Sequence, residues 1–139
     1  MTRDLENALP QTGQPPTIVV LNRDLFFGVR IGNLLKAAGY EAMFAKTANE
    51  LVDFLREAVV APVLIVVDIG TNPNWDIIHT LTIDDRSGPP ILAFGPHKDV
   101  DGLRSAKAAG VTRVVSNSEF HRNALELIQR YAAAPGARG

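Results

Sequence analysis

Five short apolar runs, each followed by a stretch with helical spacing, constrain this chain more than any other feature of its sequence. The runs are Thr17 to Leu21, Glu41 to Ala45, Val63 to Val67, Ile91 to Phe94 and Arg113 to Val115. Strands that alternate with helices predict a parallel sheet covered on both faces. The first, third and fourth runs are apolar almost throughout, as strands buried on both sides must be, and are expected at the centre of the sheet. The second and fifth are expected nearer its edges. A chain of 139 residues has room for one such core, so the expectation is a single doubly wound α/β domain over residues 17–131. Residues 1–16, rich in Gln, Pro and Thr, and residues 132–139, which end in Pro135, Gly136 and Gly139, are expected to be flexible tails.

Helix punctuation supports this order. Thr47 and Glu50 form a capping box, which predicts a helix from Ala48 to about Glu57. Gly39 and Gly110 each follow an Ala-Ala pair, where a left-handed residue closes a helix. Asn72-Pro73 suits the start of the third helix, and Ser118 is the expected cap of the last. In that last helix Phe120, Ala124, Leu127, Ile128 and Tyr131 make one apolar stripe.

The first helix, Asp24 to Ala38, carries two faces. Phe27, Ile31, Leu34, Leu35 and Ala38 share the one assigned to the sheet, while Leu25, Gly28, Val29 and Gly32 fall nearly opposite. Each interior glycine weakens a helix by about 0.8–1.0 kcal/mol relative to alanine, which points to a close backbone approach. Two arrangements would supply it: the final helix packed alongside, or a surface that docks a partner protein or a second copy.

Composition removes several classes of function. With 14 Lys and Arg against 15 Asp and Glu, the chain has no overall field to draw in nucleic acid or an anionic membrane. Seven basic against four acidic residues over 98–139 give only a slight local bias, usual for a solvated face. The absence of cysteine excludes disulfides, a thiolate nucleophile and Cys-ligated metals. No signal-like or membrane-length apolar run is present, and a cytoplasmic location is the expectation. His79, His97 and His121 are scattered, and Asp76 with His79 gives two ligands without a third, so no metal site is expected. Trp75, at the mouth of the third helix, suits packing or a partner contact. Gly28 and Gly32 lie inside a helix rather than in the turn before one, so they are not a dinucleotide fingerprint. The Asp-x-His-x-x-Gly of cobalamin-binding relatives of this architecture follows none of the strands.

In an open α/β sheet the loops after the strands converge on a crevice. They bring Asn22, Arg23 and Asp24, then Asp68, then Gly95, Pro96 and His97, then Ser116 and Asn117. Asp68, closing Leu64-Ile-Val-Val-Asp68, is a carboxylate at the tip of a buried strand. Together with Ile18-Val-Val-Leu21, Asn33-Leu-Leu-Lys-Ala-Ala-Gly-Tyr40 and Ala108-Ala-Gly-Val111, this stretch resembles the receiver domain of two-component response regulators, over about Pro16 to Tyr131. The resemblance implies a flavodoxin-like five-stranded sheet in the order 2-1-3-4-5, with Asp68 at the phosphoacceptor position. It also implies what is missing. The acidic pair that holds Mg²⁺ in receivers falls on Asn22 and Arg23, with Asp24 one step beyond. The hydroxyl residue after the fourth strand is Gly95, the lysine after the fifth is Asn117, and the proline after that lysine is Ser118. The proline beyond the phosphoacceptor falls one residue late, at Pro73, and the aromatic switch position aligns with Val114.

Aspartyl phosphorylation needs a divalent cation held by hard oxygen ligands. A guanidinium about 4 Å from such a site would oppose it by roughly 8 kcal/mol at an effective dielectric near 20. Arg23 is expected either to take the metal's place by pairing with Asp68 or to stand in solvent. His97 is expected either as a surface side chain or as a base at the crevice mouth. The sequence therefore points to a degenerate receiver-like, non-enzymatic signalling module that binds another signalling protein or itself. Two alternatives stand beside it: a phosphoacceptor that uses Asp68, Mg²⁺ and a histidine kinase, and a small-molecule sensor using the vacated crevice near Gly95.

Overall fold

In the computed structural model, which describes residues 14–83 and 88–133, strands and helices alternate from one end to the other. They run β1 (Thr17–Leu21), α1 (Leu25–Ala37), β2 (Glu41–Ala45), α2 (Ala48–Glu57), β3 (Leu64–Asp68), α3 (Trp75–Thr80), β4 (Ile91–Gly95), α4 (Val100–Ala108), β5 (Arg113–Ser116) and α5 (Asn117–Tyr131), with a 3-10 turn at Ile69–Thr71 after β3. The five parallel strands lie in the order β2-β1-β3-β4-β5, as the sequence implied.

The unbroken apolar character of the central strands follows from two cores on one sheet. Ile18, Val20, Leu64, Val66, Leu92 and Phe94 meet Phe27, Ile31 and Leu35 of α1 and Phe120, Leu127 and Ile128 of α5. The alternate residues Val19, Leu21, Ile65, Val67, Ile91 and Ala93 face the other way, against Leu51 of α2, Ile78 of α3 and Ala106 of α4. A strand that fills both cores has no polar side, because its side chains alternate between them.

Local signals hold in detail at several places. Gly39 and Gly110 have φ of 93° and 91°, closing α1 and α4. At α1 the Gly39 N–H donates to Lys36 O and the Tyr40 N–H to Leu35 O, a Schellman closure. The Thr47 hydroxyl accepts from the Glu50 N–H at 3.1 Å, and the Glu50 carboxylate reaches back one residue further than expected, accepting from the Lys46 N–H at 2.8 Å.

Two helix starts differ from the sequence reading. Pro73 is buried ahead of α3, Asn72 is left-handed with φ 52°, and Asn74 caps the helix by accepting from the N–H groups of Asp76 and Ile77. Ser116 rather than Ser118 caps α5, accepting from the Glu119 N–H, so Asn117 is the first helical residue. Trp75 packs on the core between α2, α3 and α4. His79 is structural as well, its Nδ1 lying 3.1 Å from Ala109 O at the end of α4. Of the expected tails, residues 1–13 and 134–139 lie outside the described residues. Ala133 is tied to the sheet, its N–H donating to Val63 O at 2.8 Å. Among the described residues no helix is long and apolar enough to cross a membrane.

Candidate functional site

The carboxyl ends of the strands form a crevice whose floor is Asp68. Burial pushes the Asp68 carboxyl above its ordinary range, and the nearby Asp24 carboxylate adds to this. A hydrogen bond from the Gly70 N–H to Oδ1, at 2.8 Å, and the neighbouring His121 act in the opposite direction. The crevice encloses about 250 Å³ between Asp24, Phe27, Arg30, Asp68, Asn117 and His121, among others.

The loop after β1 is braced by its own polar side chains. Asn22 is buried, and both ends of its amide are used within the loop: Oδ1 accepts from the Asp24 N–H at 2.9 Å and Nδ2 donates to Asp24 O at 3.0 Å. Asp24 caps α1, accepting through Oδ1 from the N–H groups of Phe26 and Phe27. Arg23 makes no ion pair with Asp68 among the described residues. It lines a separate hollow of about 210 Å³ with Lys46, Thr47 and Thr71, so the expected metal-replacing pair is not formed.

Gly95 is not an empty corner. A Cβ built there would lie 2.9 Å from Cβ, 3.2 Å from Cδ1 and 3.3 Å from Cγ2 of Ile69. A Cβ at Gly102 of α4 would meet the Asp99 carboxylate that caps the helix and would also fall 2.7 Å from Ile69 Cγ2. Two glycines thus make the notch that holds the residue directly after Asp68. The expectation of a vacated space near Gly95 is corrected by this packing, since Ile69 fills it and is buried. His97 is exposed and lines neither the crevice nor the hollow beside Arg23, so it does not join the site.

The glycine face of α1 also differs from the first arrangement considered for it, in which α5 packs alongside. A Cβ at Gly32 would lie 3.5 Å from Phe44 Cζ, and one at Gly28 would lie 3.2 Å from Asn22 Nδ2 and 3.8 Å from Phe44 Cε1. The close neighbours are the Phe44 ring on edge strand β2 and, at Gly28, the Asn22 amide, rather than α5. Leu25 and Val29 remain in solvent at 81% and 66% exposure, with Phe26 at 88%.

Sequence reasoning passed over Arg30 and treated His121 as isolated. Both line the crevice, and both also line a groove of about 510 Å³ between α1 and α5. The His121 ring stands edge-on to Phe27, Phe94 and Phe120, with centroids 5.8, 6.1 and 6.0 Å away, and Phe94 stacks on Phe120 at 4.3 Å. The available signal was the step from the buried Phe120 to its neighbour at a helix start, and the Phe27–Arg30 spacing on α1.

No protein-family model and no curated protein matches the chain significantly. Solved structures do. The chemotaxis response regulator CheY4 of Vibrio cholerae superimposes with a TM-score of 0.70 at 16% identity, covering 85% of this chain and 99% of that one. The fold is that of a response-regulator receiver. A receiver protein from Pseudomonas putida gives a TM-score of 0.68 at 21% identity, over 84% of this chain and 97% of its own. Full-length FixJ from B. japonicum gives 0.68 at 18% identity, and there the match spans 58% of the longer chain.

Mg²⁺ wants near-octahedral oxygen ligation, commonly with one or two carboxylates. At the crevice of this receiver fold Asp24 and Asp68 are the two carboxylates on offer, each with one oxygen already engaged. Asn22 has both amide atoms engaged, one oxygen of Asp24 caps α1, and one oxygen of Asp68 holds Gly70. Among the described residues no three His, Asp or Glu side chains come together as a metal-ligand group.

Proposed function

We propose that this chain is a cytoplasmic receiver-like signalling module that acts by binding another protein, without enzymatic activity and without Mg²⁺-dependent phosphorylation of Asp68. The observation that carries this reading is the Ile69 side chain seated between Gly95 and Gly102. It fills the corner from which a hydroxyl would contact a phosphoryl oxygen, and it anchors the loop that follows Asp68. Loss of such a donor typically costs about two to four kcal/mol of transition-state stabilisation. The engaged side chains of Asn22 and Asp24 support the same conclusion from the metal side.

The surface offered to a partner is the amino-terminal end of α1, where Leu25, Phe26 and Val29 stand in solvent. Arg23 and Arg30 flank them, and the first turn of α1 carries no acidic residue. This layout fits an apolar surface with an acidic rim on a second signalling protein.

The test is a titration of Mg²⁺, alone and with beryllofluoride, followed by amide chemical shifts around Asp68. The expected result is no saturable change at millimolar Mg²⁺. Localised, saturable shifts at Asp68, Asp24 and Asn117 would overturn the reading in favour of a phosphoacceptor.

A further inference from the structure

The crevice and the α1–α5 groove adjoin, with Phe27, Arg30 and His121 lining both. Their charges are separated. Asp24 and Asp68 lie in the crevice and not in the groove, whereas Arg30 stands at the junction. Among the described residues Arg30 has no ion-pair partner, and Asp68 Oδ2 receives no hydrogen bond. Beyond Arg30 the groove is walled by Ile31, Leu34, Phe120 and Ala124.

An anion alone would meet two carboxylates, and a cation alone would leave the guanidinium unanswered. A molecule carrying both charges on one carbon, an ammonium and a carboxylate, satisfies the two ends together. The crevice, at about 250 Å³, lies below the roughly 300–1,000 Å³ usual for larger ligands and admits only a small polar head. We propose that the crevice and the groove together bind a free α-amino acid with an apolar side chain: its ammonium at Asp24 and Asp68, its carboxylate at Arg30, its side chain along the groove. Arginine suits the carboxylate end because its planar fork can donate two parallel bonds. The proposal rests on the crevice being free of Mg²⁺, since a bound cation would compete for the same two aspartates.

The test follows amide shifts of the full chain during separate titrations with L-phenylalanine, L-leucine, L-phenylalaninamide and 3-phenylpropionate, all without Mg²⁺. At least one amino acid is expected to saturate, with shifts at Asp68, Arg30 and Ala124. The amide lacks the carboxylate and the propionate lacks the ammonium, so each is expected to bind about tenfold or more weakly than phenylalanine. Arg30→Gln and Asp68→Asn are each expected to cost about tenfold, with unchanged circular dichroism. Equal binding by phenylalanine and its two analogues would overturn the proposal, because the paired charges would then select nothing. So would the absence of saturation by either amino acid up to about 10 mM, an affinity too weak to matter here. A Mg²⁺ response in its own titration would instead contradict the reading of the crevice as metal-free, so the two failures are told apart.

Discussion

Gly95→Ser would restore a hydroxyl where the receiver fold ordinarily carries one, and the packing around it predicts a penalty. The new Cβ would sit 2.9 Å from Ile69 Cβ and within 3.3 Å of two further Ile69 carbons. Ile69 also lies close to Gly102, where a Cβ would fall 2.7 Å from its Cγ2, and it is buried, which limits how far it can yield. Overpacking of this kind in a buried position costs about 1–3 kcal/mol. Gly95→Ala is expected to cost a similar amount, which separates the steric effect from the hydroxyl. Ile69→Ala alone should cost about 2–5 kcal/mol through the cavity it leaves. Combined with Gly95→Ser, however, it removes two of the three close contacts and frees the loop to shift. The double variant should therefore be less destabilised than the sum of its parts, by roughly 0.5–3 kcal/mol. Urea unfolding followed by the fluorescence of Trp75, the single tryptophan, measures all four values. Additivity within about 0.5 kcal/mol, or a Gly95→Ala variant as stable as the parent, would refute the notch.

Two further perturbations test other parts of the account. Gly32→Ala places a methyl at ordinary contact distance from the Phe44 ring, so the helix gain of up to about 1 kcal/mol should appear as a higher Tm; a lower Tm would contradict the α1–β2 packing. Asp68→Asn tests the raised carboxyl pKa. A folded-state pKa above the unfolded one stabilises below the unfolded value, near 3.9, and that stability is lost as pH rises through the folded pKa. The parent should therefore fall behind Asp68→Asn as pH rises through that window, with the gap constant above it. Paired melting curves from about pH 3 to 8 measure this, and a gap that shrinks with rising pH would reverse the assigned shift.

Much of the fold was legible because its signals are local. The bounds of β1, β2 and α2 could be read directly, since apolar runs and the Thr47–Glu50 box act within a few residues. The two missed helix starts came from competing local signals: Pro73 beside Asn74, and Ser118 beside Ser116. The site was less legible. That Gly28 and Gly32 admit a close neighbour was readable, but the identity of Phe44 depends on β2 lying beside β1. The notch around Ile69 needs β4 and α4 brought against the turn after β3, which no short window of sequence encodes. Arg30 and His121 meet only because α1 and α5 cover the same face of the sheet.

Incubation with acetyl phosphate and Mg²⁺, followed by intact mass, tests the central claim most directly. The account predicts unmodified protein, from the parent chain and from Asp68→Asn alike. A phosphoryl adduct on the parent that disappears in Asp68→Asn would contradict it, and would show that Asp68 accepts phosphate despite the filled notch beside it.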